Sequence, residues 1–174
     1  RFGEVSIVRE LIRQMPIEHA LFVGNSLPIR EVDMLSTTRN APLRVAANRG
    51  ASGIDGQIAT ACGWAMGHRQ PTTILLGDLS AIHDLNSLLL FRESPVPMTL
   101  IILNNDGGGI FSMLPISNQT DVFERFFGTP HGCEFSKVAA MFDLPYFQPK
   151  NLEQLQKSFQ EAWHSNKSSL IEVK

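Results

Sequence analysis

Two short polar runs in this 174-residue chain combine residue types suited to holding a cation and a phosphate. They are Gly77-Asp78-Leu79-Ser80 and Asn104-Asn105-Asp106-Gly107, with Asp78 and Asn105 standing 27 positions apart. A hard cation such as Mg²⁺ prefers about six oxygen ligands and shares them between carboxylates, waters and phosphates. One carboxylate and one amide oxygen leave positions for two phosphate oxygens, a backbone carbonyl and a water. Gly77 is expected to let the backbone turn and approach a ligand closely. A helix beginning near Ser80 would offer free N–H groups to an anion. Taken alone, Asp78 is an ordinary turn residue and Gly107-Gly108-Gly109 an ordinary turn. The pairing of the two runs at a strand–helix–strand interval raises them above that.

The elements needed to position these runs are legible in the hydrophobic pattern. Apolar residues at helical spacing (Val5, Val8, Leu11, Ile12) predict a helix that closes before Pro16. Strands are predicted over 20–23, 43–46, 72–76, 96–103 and 169–173, and helices over 28–35, 55–66, 80–91, 121–127, 134–142 and 151–163. Asn151 is the expected N-cap of the last helix. Strands alternating with helices predict an α/β, doubly wound, mainly parallel sheet with helices on both faces. Ligands of such sheets bind at the carboxyl ends of the strands, near a topological switch point. The loops at Gly24, Gly50–Gly53, Gly77 and Asn104 all fall where strands end.

Composition bounds the alternatives. With 43% hydrophobic and 18% charged residues and a net charge of −2, the chain reads as globular, with no basic run to suggest nucleic acid. No apolar run approaches the roughly 18–20 residues that span a bilayer. Cys62 and Cys133 are far apart and in no metal or redox spacing, so reduced thiols and a cytoplasmic location are expected. Residues 1–174 read as one domain. Arg1 in place of Met, and an apolar run at the other end, suggest a piece of a longer chain.

Gly-Asp followed by Asn-Asn at this interval resembles the cofactor motif of thiamine-diphosphate enzymes, although the family usually has glycine where Leu79 stands. Further blocks narrow the resemblance: Phe22 to Asp33, Asn48 to Gly56, Gly77 to Asn86, Asn104 to Phe111 and Phe127 to His131. Together they are similar to the MenD family, menaquinone-pathway synthases in which Leu79 is at home. The resemblance implies the thiamine-diphosphate-binding fold and the cofactors thiamine diphosphate and Mg²⁺ (or Mn²⁺). It implies a C–C bond-forming transferase that decarboxylates 2-oxoglutarate and adds the resulting succinyl carbanion equivalent to isochorismate. Asp78, Asn105 and the Gly107 carbonyl would hold the metal. Asn25, Ser26, Gly77, Leu79 and Ser80 would hold the diphosphate, and Ile54 would keep the cofactor bent. Ile110 and Phe111 would line the reaction space. Arg30 and Arg49 would bind substrate carboxylates, for which a guanidinium offers paired N–H donors. The activating glutamate would come from a separate pyrimidine-binding domain, usually of a second subunit in a homo-oligomer. Glu31, Glu93, Glu124 and Glu134 match no such motif, so the chain alone is expected to be inactive.

Plainer readings stand beside these. On the residues alone Arg30 is better read as capping a helix or pairing with Glu31 or Asp33, and Ile54 is equally suited to the core. His83 reads as a packed or hydrogen-bonded helix residue, and His131 as a loop residue with a smaller claim to lie near substrate. Trp64 and Trp163 read as core or interface. Phe123, Phe126 and Phe127 suggest a flap or a contact with another part of the protein. Two other functions remain open. One is a different thiamine-diphosphate decarboxylase or lyase, distinguished by substrate. The other is a non-catalytic nucleotide-binding module, which would carry a Gly-x-Gly-x-x-Gly turn that Gly24 to Ile29 does not supply.

Overall fold

The computed structural model describes residues 2–37 and 41–174. Its centre is a six-stranded sheet, every pair parallel, in the order β2-β1-β3-β4-β6-β5. The strands are β1 (Ala20–Val23), β2 (Arg44–Ala46), β3 (Thr72–Gly77), β4 (Met98–Leu103), β5 (Tyr146–Phe147) and β6 (Ser169–Val173). The strand order reverses between β1 and β3, which makes that junction a switch point. β3 and β4 are neighbours with Gly77 opposite Leu103, so Asp78 and Asn104 leave the sheet side by side.

The central strands carry near-continuous apolar runs because both faces are covered. On one face α1 (Glu4–Gln14), α2 (Leu27–Leu35) and α8 (Leu152–His164) bury Leu11, Val32 and Phe159 against Leu21, Leu75, Ile101 and Ile171. On the other, α3 (Gln57–His68) and α7 (Phe135–Met141) bury Ile58, Cys62 and Phe135 against Phe22, Ile74, Leu100 and Leu170. Alternate residues of one strand thus serve opposite cores. Trp163 closes the first core and donates Nε1–H to Thr73 Oγ1 at 3.0 Å. Asn151 caps α8 by accepting the Gln154 N–H at 2.9 Å.

Several expectations need correction. The helix expected over 80–91 is broken into α4 (Asp78–Ile82), a 3-10 turn (Leu85–Leu89) and α5 (Leu90–Glu93). The break is at Asp84, where φ is −139°. Its buried carboxylate accepts the Ala59 N–H of α3 at 2.9 Å and the Ser87 hydroxyl, and this tie overrides the apolar periodicity. His83, expected to be packed or hydrogen-bonded, is exposed, so it is not packed in the core. α3 starts at Gln57, not 55, because Gly56 takes a left-handed conformation (φ 63°) just before it. β4 begins at Met98, since Ser94 and the prolines around Val96 form a turn. β5, two residues long, carries too little pattern to predict. The aromatic segment is α6 (Thr120–Phe123) followed by a π-helical turn (Glu124–Gly128).

Candidate functional site

A cleft of about 120 Å³ opens at the carboxyl ends of β1, β3 and β4. Ser26, Ile54, Gly77, Asp78, Leu79, Ser80, Asn105, Gly107, Ile110 and Phe111 all line it. These residues span four loops, so the fold rather than the chain order brings them together.

Asp78 sits at the first residue of α4, 2% exposed. Its Oδ1 accepts the Leu79 N–H at 2.7 Å and its Oδ2 accepts the Gly107 N–H at 2.9 Å. Oδ2 also lies 3.1 Å from His131 Nε2. The His131 tautomer follows from its other nitrogen: Nδ1 accepts the Cys133 N–H at 2.9 Å, so Nε2 carries the hydrogen and donates to Asp78. Carboxylate oxygens offer about four lone-pair directions. The three donors around Asp78 leave room for a cation as a further partner.

The loop after β4 is held from two sides. The buried Asn104 donates Nδ2–H to Glu172 Oε1 at 2.6 Å, and its Oδ1 accepts the Asp106 N–H at 3.0 Å. Glu172 is anchored by Tyr146 Oη and Gln148. Asp106 Oδ1 in turn accepts N–H bonds from Gly132 at 2.8 Å and His131 at 3.2 Å, which lower its carboxyl below the usual value. Gly108 donates its N–H to the Gly128 carbonyl at 2.7 Å. The 106–109 and 127–132 segments therefore form one folded unit. Phe127 joins it, edge-on to Phe111 at 5.6 Å between ring centres.

Of the two asparagines, only Asn105 faces the cleft. Its Nδ2–H donates to Glu4 Oε1 at 3.0 Å, and Glu4 lines the same cleft from the start of α1. Behind Glu4 stands Glu31 of α2, buried with its Oε2 unpartnered. Burial first, then the charge of Glu4 and a hydrogen bond to it, push the Glu31 carboxyl from 4.5 up to about 7. The folded protein thus keeps a proton that the unfolded chain releases. The resulting stability is complete below about pH 4.5 and is lost as pH rises through about 7. At about 1.4 kcal/mol per pH unit the span amounts to at most about 3.5 kcal/mol. Urea unfolding at pH 5 and pH 8 should show Glu31→Gln flattening this dependence. An unchanged slope would mean that another group titrates.

Other expected site residues are placed differently. Asn25 is buried and holds the neighbouring loop: Nδ2–H donates to the Gly53 carbonyl at 2.7 Å, and Oδ1 accepts from Arg49 Nη1 at 3.1 Å. Gln57, which drew no attention in the sequence, completes this corner. It accepts the Asn25 N–H through Oε1 and donates Nε2–H to Gly53. Arg30 and Arg49 are exposed and stand one step outside the cleft, with Arg30 Nη1 donating to the Ser26 carbonyl at 2.6 Å. Gly77 has an ordinary extended backbone (φ −78°), so it does not make the turn expected of it. A Cβ there would meet no atom within 4 Å, which means that the glycine leaves open space beside the cleft. Ser26 instead bears the strain, at φ 71° and ψ −129°, a conformation costing about 1–3 kcal/mol in a non-glycine residue. Both cysteines are free thiols, and burial pushes Cys62 up to about 12, out of reactive range.

The donor set suits a small oxygen-seeking cation. Among the described residues no group of three or more His, Cys, Asp or Glu could hold a metal. A cation here would therefore take Asp78 together with amide, carbonyl and ligand oxygens, as Mg²⁺ does beside phosphates.

A doubly wound parallel sheet with this polar cluster at its switch point is a cofactor-binding α/β domain. Residues 32–173 match the family described as thiamine pyrophosphate enzyme, C-terminal TPP binding domain, and the chain belongs to that family. Thiamine pyrophosphate and thiamine diphosphate are one compound. Within the family the chain is similar to 2-succinyl-5-enolpyruvyl-6-hydroxy-3-cyclohexene-1-carboxylate synthases. It is 46% identical to that of Shewanella sp. (strain W3-18-1) over 172 residues, 99% of this chain and 30% of the relative. The Rubrobacter xylanophilus synthase is 45% identical over 171 residues, 98% of this chain and 29% of the relative. The chain thus spans about 30% of the length of the curated relatives it matches.

Proposed function

We propose that residues 1–174 form the diphosphate-binding domain of a longer thiamine-diphosphate-dependent synthase, one that decarboxylates 2-oxoglutarate and joins the succinyl unit to isochorismate. The convergence of Asp78, Asn105 and Gly107 on one cleft is the observation that carries this reading. The similarity to synthases named for a succinylated cyclohexene carboxylate supports the substrate pair. Bound thiamine diphosphate supplies a carbon nucleophile and an electron sink.

Each residue then has a task. Asp78, Asn105 Oδ1 and the Gly107 carbonyl would hold Mg²⁺ or Mn²⁺ against the diphosphate. Ser26, Gly77, Leu79 and Ser80 flank that diphosphate, and Asn25 shapes the loop beside it. Ile54, which lines the cleft, would be the apolar contact that keeps the cofactor bent. Ile110 and Phe111 form an apolar wall that keeps water from the reacting carbon. Arg30 and Arg49 bind substrate carboxylates; a guanidinium has about five N–H donors, so one bond to the protein leaves others free. A pyrimidine-binding domain, from a second subunit of a homo-oligomer, completes the site, and the enzyme works in the cytoplasm. No helix among the described residues is long and apolar enough to cross a membrane.

Calorimetric titration of the full-length protein with thiamine diphosphate, with Mg²⁺ and with a chelator, tests this reading. Binding should require the metal, and release of CO₂ from 2-oxoglutarate should depend on isochorismate for complete turnover. Residues 1–174 alone should bind weakly and give no synthase product. Cofactor binding indifferent to metal in the full-length protein would refute the site, and turnover with a monocarboxylate in place of 2-oxoglutarate would refute the substrate.

A further inference from the structure

An asparagine amide can meet a cation in two ways, related by a half-turn of its side-chain end. Oδ1 is an acceptor and binds; Nδ2 carries two N–H donors and repels. Size does not separate the two orientations, so a neighbour must. At Asn105 that neighbour is Glu4, whose Oε1 lies 3.0 Å from Nδ2. A carboxylate only accepts hydrogen bonds, so this contact is satisfied with Nδ2 toward Glu4 and Oδ1 turned away from it. The amide also lies flat on Gly109, where an added Cβ would stand 2.6 Å from Nδ2 and 2.9 Å from Cγ. Glu4 is the first residue of α1 and lines the same cleft as Asn105.

We propose that Glu4 is a positioning residue for the metal: it holds the Asn105 amide with Oδ1 toward the cation and sets a negative charge behind that ligand. The proposal rests on the reading of Asp78, Asn105 and Gly107 as the metal set. It brings α1 into the site, from 101 positions away in the chain. The bond to Glu4 also polarises the amide and draws electron density onto Oδ1, since linked hydrogen bonds strengthen one another. Partners of this kind behind a metal ligand affect affinity about 10–100-fold.

The test uses the full-length protein with thiamine diphosphate present and Mn²⁺ followed by electron paramagnetic resonance. Glu4→Leu should raise the Mn²⁺ concentration for half-saturation about 10-fold or more. Glu4→Gln, which keeps an acceptor for Nδ2–H, should return it to within about threefold of the parent. In an Asn105→Ala background, Glu4→Leu should add no further loss, because the amide it positions is gone. Melting temperatures without metal should fall in one narrow range for parent and Glu4→Gln. The proposal is overturned if Glu4→Leu stays within about twofold of the parent. It is equally overturned if Glu4→Gln is as impaired as Glu4→Leu, or if Glu4→Leu weakens metal binding as much without Asn105 as with it. A parent protein whose cofactor binding ignores metal overturns the site reading and this proposal with it; a metal-dependent parent beside an unaffected Glu4→Leu overturns this proposal alone.

Discussion

Asp78→Ala abolishes metal-linked cofactor binding in the full-length protein: calorimetry with saturating Mg²⁺ should give the weak titration seen with a chelator. The expected loss is at least about 100-fold, at the top of the range that even a ligand's supporting partner can reach. Asp78 is the one carboxylate in the proposed ligand set, so no neighbouring oxygen can replace its charge. The substitution has a second effect to be separated from the first. It orphans the Leu79 and Gly107 N–H groups and His131 Nε2–H, at about 1–3 kcal/mol for each that stays buried. Asp78→Asn separates the two effects. Its amide oxygen still accepts from part of this set, so its metal-free melting temperature should lie above that of Asp78→Ala. It lacks the charge, so its metal dependence should be nearly as poor. If either variant bound the cofactor with the parent's Mg²⁺ dependence, Asp78 would be a structural turn residue, tying the 77–80 and 105–109 loops together without holding metal.

The outline of this site was legible because parallel sheets constrain it. Apolar runs at 72–76 and 96–103, each followed by a polar cluster, read as buried strands, and adjacent parallel strands deliver their following residues to one edge. The register of Gly77 opposite Leu103 has that consequence. Local pattern could not show how side chains are shared out. Asn104 and Asn105 are indistinguishable by type, yet Asn104 goes to a buried Glu172 on β6, 68 positions away, and only Asn105 reaches the cleft. Asn25 similarly turns to the 49–53 loop because Gln57 and Arg49 meet it there.

Long-range partners also explain the other departures. His131 meets Asp78 across 53 positions, and its sequence context, a loop after Thr129-Pro130, gives no hint of that. Glu4 opens α1, where an acidic residue is favoured by the helix dipole and needs no further role. Only the fold shows that the same position faces a metal-ligand candidate. Asp84 interrupts a well-formed helical pattern because its carboxylate serves α3. Only Asp84 left a signal, a polar residue within an apolar pattern; in each case the partner lies in another element, and the spacing between them is set by the fold.

Gly107→Ala should damage the site as severely as loss of Asp78, by a different route. Gly107 has φ 139°, which side-chain-bearing residues rarely adopt, and a Cβ there would lie 2.0 Å from the Gly128 carbonyl oxygen and 3.1 Å from that of Thr129. Both obstacles are backbone, so no rotamer change relieves them. The 106–109 and 127–132 segments must separate, which breaks the Gly108 to Gly128 hydrogen bond and moves the Gly107 N–H from Asp78. The backbone strain alone costs about 1–3 kcal/mol. Metal-free Gly107→Ala should therefore melt several degrees below the parent, by roughly 2–4 °C for each kcal/mol in a domain of this size. Its metal-linked binding should be lost as well, because the Gly107 carbonyl and Asp78 move together. Gly77→Ala gives the contrast that makes the result interpretable. Its backbone is ordinary and its Cβ meets no atom within 4 Å, so its metal-free melting should match the parent. Any loss there should appear only in cofactor affinity, from a methyl group standing where the diphosphate approaches. Should Gly107→Ala melt like the parent and bind metal normally, the two segments would not pack as closely as the structure shows, and the Gly107 carbonyl would have no claim to be a ligand.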